Sequence, residues 1–235
     1  MTAPGEPGTI VGLMSRLEAL DAATAALVRL SARITGGTET DVREGLAECG
    51  EKRTPERWIE ELVLQSYLFA GFPRALNAVR EWQRTTRGQG SGRGAQRGSE
   101  TEPVGLQQSV DGYQSVYAWR ERGEEACRVV YGEMYEKLRE NIRGLHPAMD
   151  DWMIVEGYGK VLSRDGLDLP RRELCIVAAC VAAGQERQLH SHLHGSRNAG
   201  VPDGAIEGVL AALDGVVPAE SLKKAQLLWQ RVKGK

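Results

Sequence analysis

The sequence predicts an all-α protein. Apolar residues recur at spacings of three and four along most of its 235 residues, as the buried face of a helix requires. Glycine and proline separate these runs where helices would begin and end. We find no alternation of apolar and polar residues convincing enough for a strand, so the chain falls in the helical class.

The predicted helices of the first part are interrupted by clear boundary signals. Asp21 with Thr24 is a possible helix start inside the first of them, and Thr54 is the predicted N-cap of the third, with Pro55 in its first turn. Gly71-Phe72-Pro73 is predicted to break the chain after the third helix. The segments are 13–34, ending at Gly36-Gly37, then 40–49, 54–70 and 74–83.

Residues 84–105 differ from the rest of the chain. This segment, RTTRGQGSGRGAQRGSETEPVG, is rich in glycine and arginine and has almost no large apolar residue. It cannot bury enough surface to offset the entropy of ordering, so we predict a disordered linker. The predicted organisation is a flexible tail at 1–8, a first half at 9–83, the linker, and a second half at 106–235.

Helical patterns resume after the linker and continue to the end of the chain. His146-Pro147 is predicted to lie in a turn, and the segment from Asp150 to Leu162 to be interrupted or tightened at Gly157 and Gly159. The remaining predicted helices are 110–143, 172–183, 185–198, one that begins at Val201-Pro202-Asp203 and runs through AIEGVLAALDG, and 218–232.

The order of elements is similar in the two halves. Each has a helix that ends in glycine, a second helix that ends in glycine, and then a helix containing Glu-x-Val-Leu or Glu-Leu-Val-Leu. This order predicts an internal duplication. The first half has neither histidine nor glutamate at the places that match Glu173 and His192, so any site belongs to the second half.

Charge and composition exclude some classes of partner. The formal net charge is -2 and the pI is about 6.2, which argues against nucleic acid as the main partner even though the linker is basic. No signal peptide and no run of apolar residues long enough for a membrane span is visible. The expectation is a soluble, cytoplasmic protein with no membrane partner.

The segment from Arg171 to Gly200 holds three of the four histidines. On a helix, His192 faces inward with leucines, and Glu173 faces inward on the preceding helix. His192 is then a general acid–base beside a carboxylate, or a core histidine with both nitrogens satisfied. Glu173 has its own alternative, an acid in the first turn of a helix that pairs with Arg171 or Arg172.

His190 and His194 form an i, i+4 pair on a more polar stripe that also carries Glu186 and Arg197. A metal site is the competing interpretation, because HxxxH is a zinc-ligand spacing on helices. No third ligand stands at a suitable spacing, so no metal is predicted.

The residues of this segment resemble the signature of the carboxymuconolactone decarboxylase family, which shares its fold with the alkylhydroperoxidase D-like proteins. The segments that carry the resemblance are Arg172-Glu173-Leu174, the small apolar run to Gly184, Gln188-Leu189, Ser191-His192-Leu193, Gly195, Asn198-x-Gly200-Val201, Ile206-Glu207-x-Val209-Leu210, and LQSYLFAGFPRALNA in the first half. The resemblance implies two tandem copies of an alkylhydroperoxidase D-like helical domain.

The family's peroxidase branch uses a Cys-x-x-Cys pair, and Gln185 and Gln188 occupy those positions here. Cys49, Cys127, Cys175 and Cys180 are interpreted as small apolar residues of a reducing compartment. Because thiols are what that branch needs, the resemblance implies decarboxylase chemistry instead.

The resemblance implies a lyase of aromatic catabolism that acts on a small carboxylated lactone without a cofactor. His192 is its acid–base, Glu173 orients it, and His190, His194 and Arg197 hold the substrate carboxylates. Self-association as a trimer or a hexamer-like ring is also implied. The alternatives are a non-catalytic helical oligomer that binds a small ligand, and a peroxidase-related protein that has lost its thiol pair.

Overall fold

The computed structural model describes residues 19–89 and 112–234 of the chain. These residues form helices and connecting turns with no β-strand among them, which confirms the all-α class. The predicted tail at 1–8 and most of the predicted linker lie outside the described residues. The first residues of that linker, up to Gln89, are the last turns of a helix.

Four helices precede the gap. They are α1 Ala22–Gly36, α2 Glu39–Glu51, α3 Glu56–Gln65 and α4 Tyr67–Gln89. Asp21 caps α1 by accepting a hydrogen bond from the Thr24 amide, so this residue pair is a true helix start. Thr38 forms a capping box with Asp41 at the start of α2.

One boundary prediction in this part is wrong, and the break predicted at Gly71 is a kink within a helix. Thr54 was predicted to cap α3, but the cap is Pro55 and carries no side-chain hydrogen bond, because the Thr54 hydroxyl donates to the Ala23 carbonyl instead. The break at Gly71 is real, with φ of 79° inside α4, and the chain bends there without leaving the helical path for long.

The second part contains seven α-helices, one 3₁₀ turn and one π-helix among the described residues. They are α5 Gly112–Tyr131, a 3₁₀ turn Gly132–Met134, α6 Tyr135–Leu145, α7 Pro147–Trp152, a π-helix Met153–Leu162, α8 Leu169–Ala183, α9 Glu186–Asn198, α10 Asp203–Ala212 and α11 Ala219–Lys233. His146, predicted to lie in a turn, caps α7 by accepting from the Ala148 amide.

The segment at 153–162 was predicted as an α-helix interrupted or tightened at its glycines, whereas it is widened into a π-helix. It packs against α5 at close range. A Cβ at Gly159 would overlap the Trp119 carbonyl, and a Cβ at Gly123 would overlap the Ile154 carbonyl. The two backbones touch at these glycines. We therefore attribute the π-helical form of this segment to its contact with α5 and not to the helix propensity of its own residues.

Helix α8 lies at the centre of the core. Its residues from Arg172 to Val181 are all buried, as its apolar sequence on every side predicts. Helix α1 packs along one side of α8, where the Ser31 hydroxyl donates to the Cys175 carbonyl, and α9 packs along another. The carboxylate on α8 is therefore enclosed by helices from both parts of the chain.

The helices repeat in length and spacing. Helices α1, α2 and α3 have 15, 13 and 10 residues, and so do α8, α9 and α10. Their first residues are each 147 positions apart: 22 and 169, 39 and 186, 56 and 203. With this offset, Ala26 and Gly45 correspond to Glu173 and His192. The duplication stays a prediction, now with matching helix lengths in its favour.

Among the described residues, no helix has both the length and the apolar character that crossing a membrane requires.

Candidate functional site

The turn between α8 and α9 brings the two predicted site residues together. Gly184 ends α8 in the left-handed conformation, with φ of 66°, and the Gln185 amide donates back to the Cys180 carbonyl. Glycine adopts this conformation without the steric cost of a Cβ atom. Helix α9 then folds back against α8, so a residue of its second turn reaches the first half of α8.

Glu173 and His192 form a buried hydrogen-bonded pair. The Nδ1 atom of His192 lies 2.9 Å from Oε2 of Glu173. The Glu173 side chain is fully buried and His192 is 6% exposed, so both face the interior as the sequence predicts. A carboxylate at Nδ1 fixes the tautomer of the imidazole and leaves Nε2 for chemistry. In the described part of the chain, Nε2 has no hydrogen-bond partner.

The alternative interpretation of Glu173, an acid in the first turn paired with a neighbouring arginine, is wrong. Helix α8 begins at Leu169, so Glu173 lies beyond its first turn. Arg171 pairs with Asp168 and Asp21, and Arg172 pairs with Glu61. The partner of Glu173 is His192.

One oxygen of Glu173 is unsatisfied. Oε1 is buried and accepts no hydrogen bond from any described residue. Native proteins rarely leave a buried polar atom without a partner, because the desolvation cost is about 1–3 kcal/mol and more for a charged group. Oε2 of Glu81 also lacks a hydrogen bond, so it is the contact with His192 that distinguishes the Glu173 carboxylate.

A small cavity is linked to the pair through Phe69. The ring of Phe69 meets the His192 ring edge-on, with 5.9 Å between the centroids. Phe69 also lines a cavity of about 220 Å³. Its other lining residues are Leu68, Ala179, Cys180, Ala183, Gln185 and Gln188. The two exposed glutamines thus line a cavity that reaches the histidine through Phe69, while His192 and Glu173 are not among its lining residues.

The cysteines are poorly suited to thiol chemistry. All four are buried and free. Burial raises the pKa of Cys49, Cys127 and Cys180 to about 12, and it raises the pKa of Cys175 as well. Because the thiolate is the nucleophile, these side chains are unreactive at neutral pH.

Residues 151–224 match the model of the carboxymuconolactone decarboxylase family. The matched segment runs from the end of α7 into α11 and contains Glu173, both glutamines and His192. Residues 19–89, including Phe69, lie outside it. A search of curated proteins found no significant match to the chain.

Within this carboxymuconolactone decarboxylase-like segment, the structure does not bring the other predicted site residues to His192. His190 and His194 contact each other, with 4.8 Å between ring centroids, but each lies about 160° around α9 from His192. Arg197 pairs with Asp203 at 3.2 Å and donates to the Val232 carbonyl. None of the three lines the cavity beside Phe69.

Among the residues that the structure describes, no group of three or more histidine, cysteine or acidic side chains is placed to hold a metal ion. His190 and His194 are therefore a pair of imidazoles with no third protein ligand within this part of the chain.

Sequence reasoning missed Phe69 as a site residue. It is far from His192 along the chain and comes from α4 in the other half, and apolar spacing marked it only as part of a central helix. The break at Gly71 is the nearest signal, since it ends the segment that presents Phe69 to the cavity. The unsatisfied oxygen of Glu173 has no signal in the sequence.

Proposed function

We propose that this chain is a lyase that decarboxylates a small carboxylated lactone of the 4-carboxymuconolactone type, with His192 as its acid–base. The observation that carries the proposal is the buried contact between Glu173 and His192, at 2.9 Å, beside a small cavity. The match of residues 151–224 to the carboxymuconolactone decarboxylase family supports the reaction class.

Decarboxylation breaks the bond between the ring carbon and the carboxylate. The electron pair of that bond moves into the conjugated lactone, CO₂ leaves, and a dienolate remains. The imidazolium of His192 then delivers a proton from Nε2 to carbon, while Nδ1 continues to donate to Glu173. The imidazole regains its proton from solvent, which balances the reaction.

The dienolate needs hydrogen-bond donors at its oxygen while it exists. The carboxamides of Gln185 and Gln188 are the donors that line the cavity. Leu68, Phe69 and Ala179 supply apolar walls of the same cavity. His190, His194 and Arg197 have no part in this mechanism, because they lie away from His192.

Two further expectations from the resemblance stay predictions. Self-association as a trimer or hexamer-like ring is one, and a place in aromatic catabolism is the other. The competing function is a non-catalytic oligomer that binds a small ligand with the same cavity. It differs from the lyase in requiring no proton donor, and the following experiment separates the two.

Replacing the proposed proton donor tests the reaction. We expect His192→Ala and the closer-sized His192→Gln to lower turnover of 4-carboxymuconolactone by roughly 10²–10⁴-fold, the usual contribution of a general acid–base. Loss of the lactone would be followed by ultraviolet absorbance. His146→Gln is the matched control, because His146 is the exposed histidine that caps α7.

Wild-type turnover in both His192 variants, with unchanged circular dichroism, would eliminate His192 as the proton donor. No turnover by the wild-type protein on carboxylated lactones, together with saturable lactone binding, would favour the non-catalytic function.

A further inference from the structure

A second, larger cavity lies on the opposite side of α9. Its volume is about 690 Å³, within the roughly 300–1,000 Å³ of sites for drug-sized ligands, and the cavity beside Phe69 is about 220 Å³. It is formed where the end of α5, the 3₁₀ turn and α6 face α9. The two cavities share no lining residue.

The walls of this cavity differ in chemistry. Val130, Met134 and Leu138 supply an apolar wall from α5, the 3₁₀ turn and α6. The facing wall belongs to α9 and presents His190 and His194. The polar residues that complete the lining are Asn141, Ser191, Asn198 and the phenol of Tyr131, whose pKa burial raises, so that it stays a neutral donor.

The histidine pair defines the polar end. Both rings line the cavity and their centroids lie 4.8 Å apart, so a group bound at this end meets both imidazoles. Two adjacent donors match the two oxygens of a carboxylate or sulfonate, and protonation of either ring makes the hydrogen bond charge-assisted. Glu133, exposed and acidic, also lines this cavity, and an anion is therefore best placed at the histidine wall.

We propose that this cavity binds an organic acid with an apolar body. The anionic group lies at His190 and His194, and the body packs on Val130, Met134 and Leu138. The site is separate from the one proposed for decarboxylation, because its histidines lie about 160° around α9 from His192. Its ligand has a different size and a different set of contacts, so the two proposals stand or fall independently.

A pair of dyes with the same body and different charge tests the proposal. The sulfonate dye is 1-anilinonaphthalene-8-sulfonate, and its neutral counterpart is N-phenyl-1-naphthylamine. Each would be titrated against the folded full-length protein and followed by its rise in fluorescence. We expect saturable binding of the sulfonate at one molecule per chain, with a lower affinity for the neutral dye.

The double variant His190→Gln/His194→Gln should weaken sulfonate binding by about tenfold or more, since a charge-assisted hydrogen bond is lost. Its affinity for the neutral dye should change by less than about twofold, because the apolar wall is intact. Ser191→Trp, which fills the cavity from α9, should abolish binding of both dyes. His146→Gln, outside the cavity, should change neither, and His192→Ala should also change neither.

Three results would overturn the proposal. One is the absence of saturable sulfonate binding to the wild-type protein, as when a second copy of the chain covers the cavity. Another is equal loss of both dyes in the double histidine variant, and the third is unchanged sulfonate binding there. Thermal unfolding of every variant separates loss of the site from loss of the fold.

Discussion

Gly195 is the residue that allows Glu173 and His192 to meet. A Cβ at this position would lie 2.8 Å from Oε2 of Glu173 and 2.6 Å from a methyl carbon of Val130. Gly195→Ala must therefore displace the carboxylate or the helix. We expect a loss of about 1–3 kcal/mol in the free energy of unfolding, as overpacking of cores typically costs, and a fall in turnover. Urea denaturation measures the first quantity and the lactone assay the second.

Gly204→Ala is the matched control for this residue. It adds the same methyl group to a helix of the same half, α10, with no heavy atom within 4 Å of the new Cβ. We expect equal or slightly greater stability there, because alanine has the higher helix propensity. Equal changes in the free energy of unfolding for the two substitutions would show that the close contact at Gly195 does not limit which residue fits there.

At the scale of single residues, the sequence predicted that Glu173 and His192 both face the interior, but it did not predict which side chains surround them. Helical periodicity is enough to place Glu173 and His192 on inward faces, because 3.6 residues per turn decide which side chains share a side. It also separates His192 from His190 and His194. The alternative in which Arg171 or Arg172 pairs with Glu173 is wrong, since the partner of Arg172 is Glu61, 111 residues away, and Arg171 pairs with Asp168 and Asp21.

At the scale of elements, a buried arginine ties α8 to α3. Arg172 is fully buried, and its guanidinium donates to Glu61 at 2.9 Å, to Gln65 at 3.1 Å and to two carbonyls. Arg172→Met leaves the buried carboxylate of Glu61 without this partner. Glu61 keeps contacts of 3.1 Å with Arg57 and Arg164, so its charge is not left uncompensated. We expect a loss of roughly 1–3 kcal/mol in urea denaturation, the usual cost of leaving buried hydrogen-bonding groups without their partner.

Lys160→Met is the control for the buried pair. Lys160 and Glu156 form a contact of 3.4 Å in which both side chains are 46% exposed. Exposed pairs contribute about 0–1 kcal/mol, so this substitution should have little effect. If Arg172→Met lowers the free energy of unfolding no more than Lys160→Met does, the buried hydrogen bonds of Arg172 do not stabilise the contact between α8 and α3.

Asp150 links α6 to α7 and makes the protein sensitive to acid. Hydrogen bonds from Arg139, and then from Arg143, hold the pKa of this buried carboxyl below its ordinary value. Because the folded pKa lies below the unfolded one, the stabilisation is complete above the unfolded value near 4 and is lost as the pH falls through the folded value. The stability difference between wild type and Asp150→Asn should therefore shrink between about pH 5 and about pH 2.

Urea denaturation across this pH range measures the difference. Asp151→Asn is the control, since Asp151 is exposed and its contact with Arg120 at 3.1 Å is a surface pair. We expect that control to cost little at any pH. A stability difference for Asp150→Asn that does not change with pH would rule out this carboxyl as an acid-sensitive link.

Helices were predictable from the sequence where signals within the segment itself are enough to determine them. Caps, glycine stops and apolar spacing predicted most helices, including the start of α1 at Asp21, because these signals act within a few residues. The π-helix at 153–162 was not predictable. Its form follows from contact with α5 at Gly123 and Gly159, and a local pattern carries no information about a neighbour that distant.

At the scale of the whole molecule, the sequence predicted two similar halves with the site in the second. The equal lengths of α1 to α3 and α8 to α10 agree with that prediction. Sequence could not predict that the first half contributes Phe69 to the site of the second, because the contact exists only after α4 packs beside α9. The site therefore depends on both halves, whatever their origin.

The fold as a whole determines which side chains are accessible for thiol chemistry. It buries all four cysteines, with pKa values of about 12 for Cys49, Cys127 and Cys180 and a raised value for Cys175. It leaves Gln185 and Gln188 exposed at the turn beside the small cavity.

We expect 5,5′-dithiobis(2-nitrobenzoate) to react slowly with the native protein and to titrate four thiols once it is unfolded. Gln185→Cys/Gln188→Cys is the matched comparison, because it adds thiols where the fold exposes them, and two should react at once in the native state. Rapid native reaction of Cys180, which lines the cavity, would contradict the burial argument. Turnover of a hydroperoxide by the wild-type chain, with a thiol as reductant, would contradict the exclusion of peroxidase chemistry. Turnover by the double variant alone would show that glutamines at 185 and 188, in place of cysteines, are what prevents peroxidase activity on this fold.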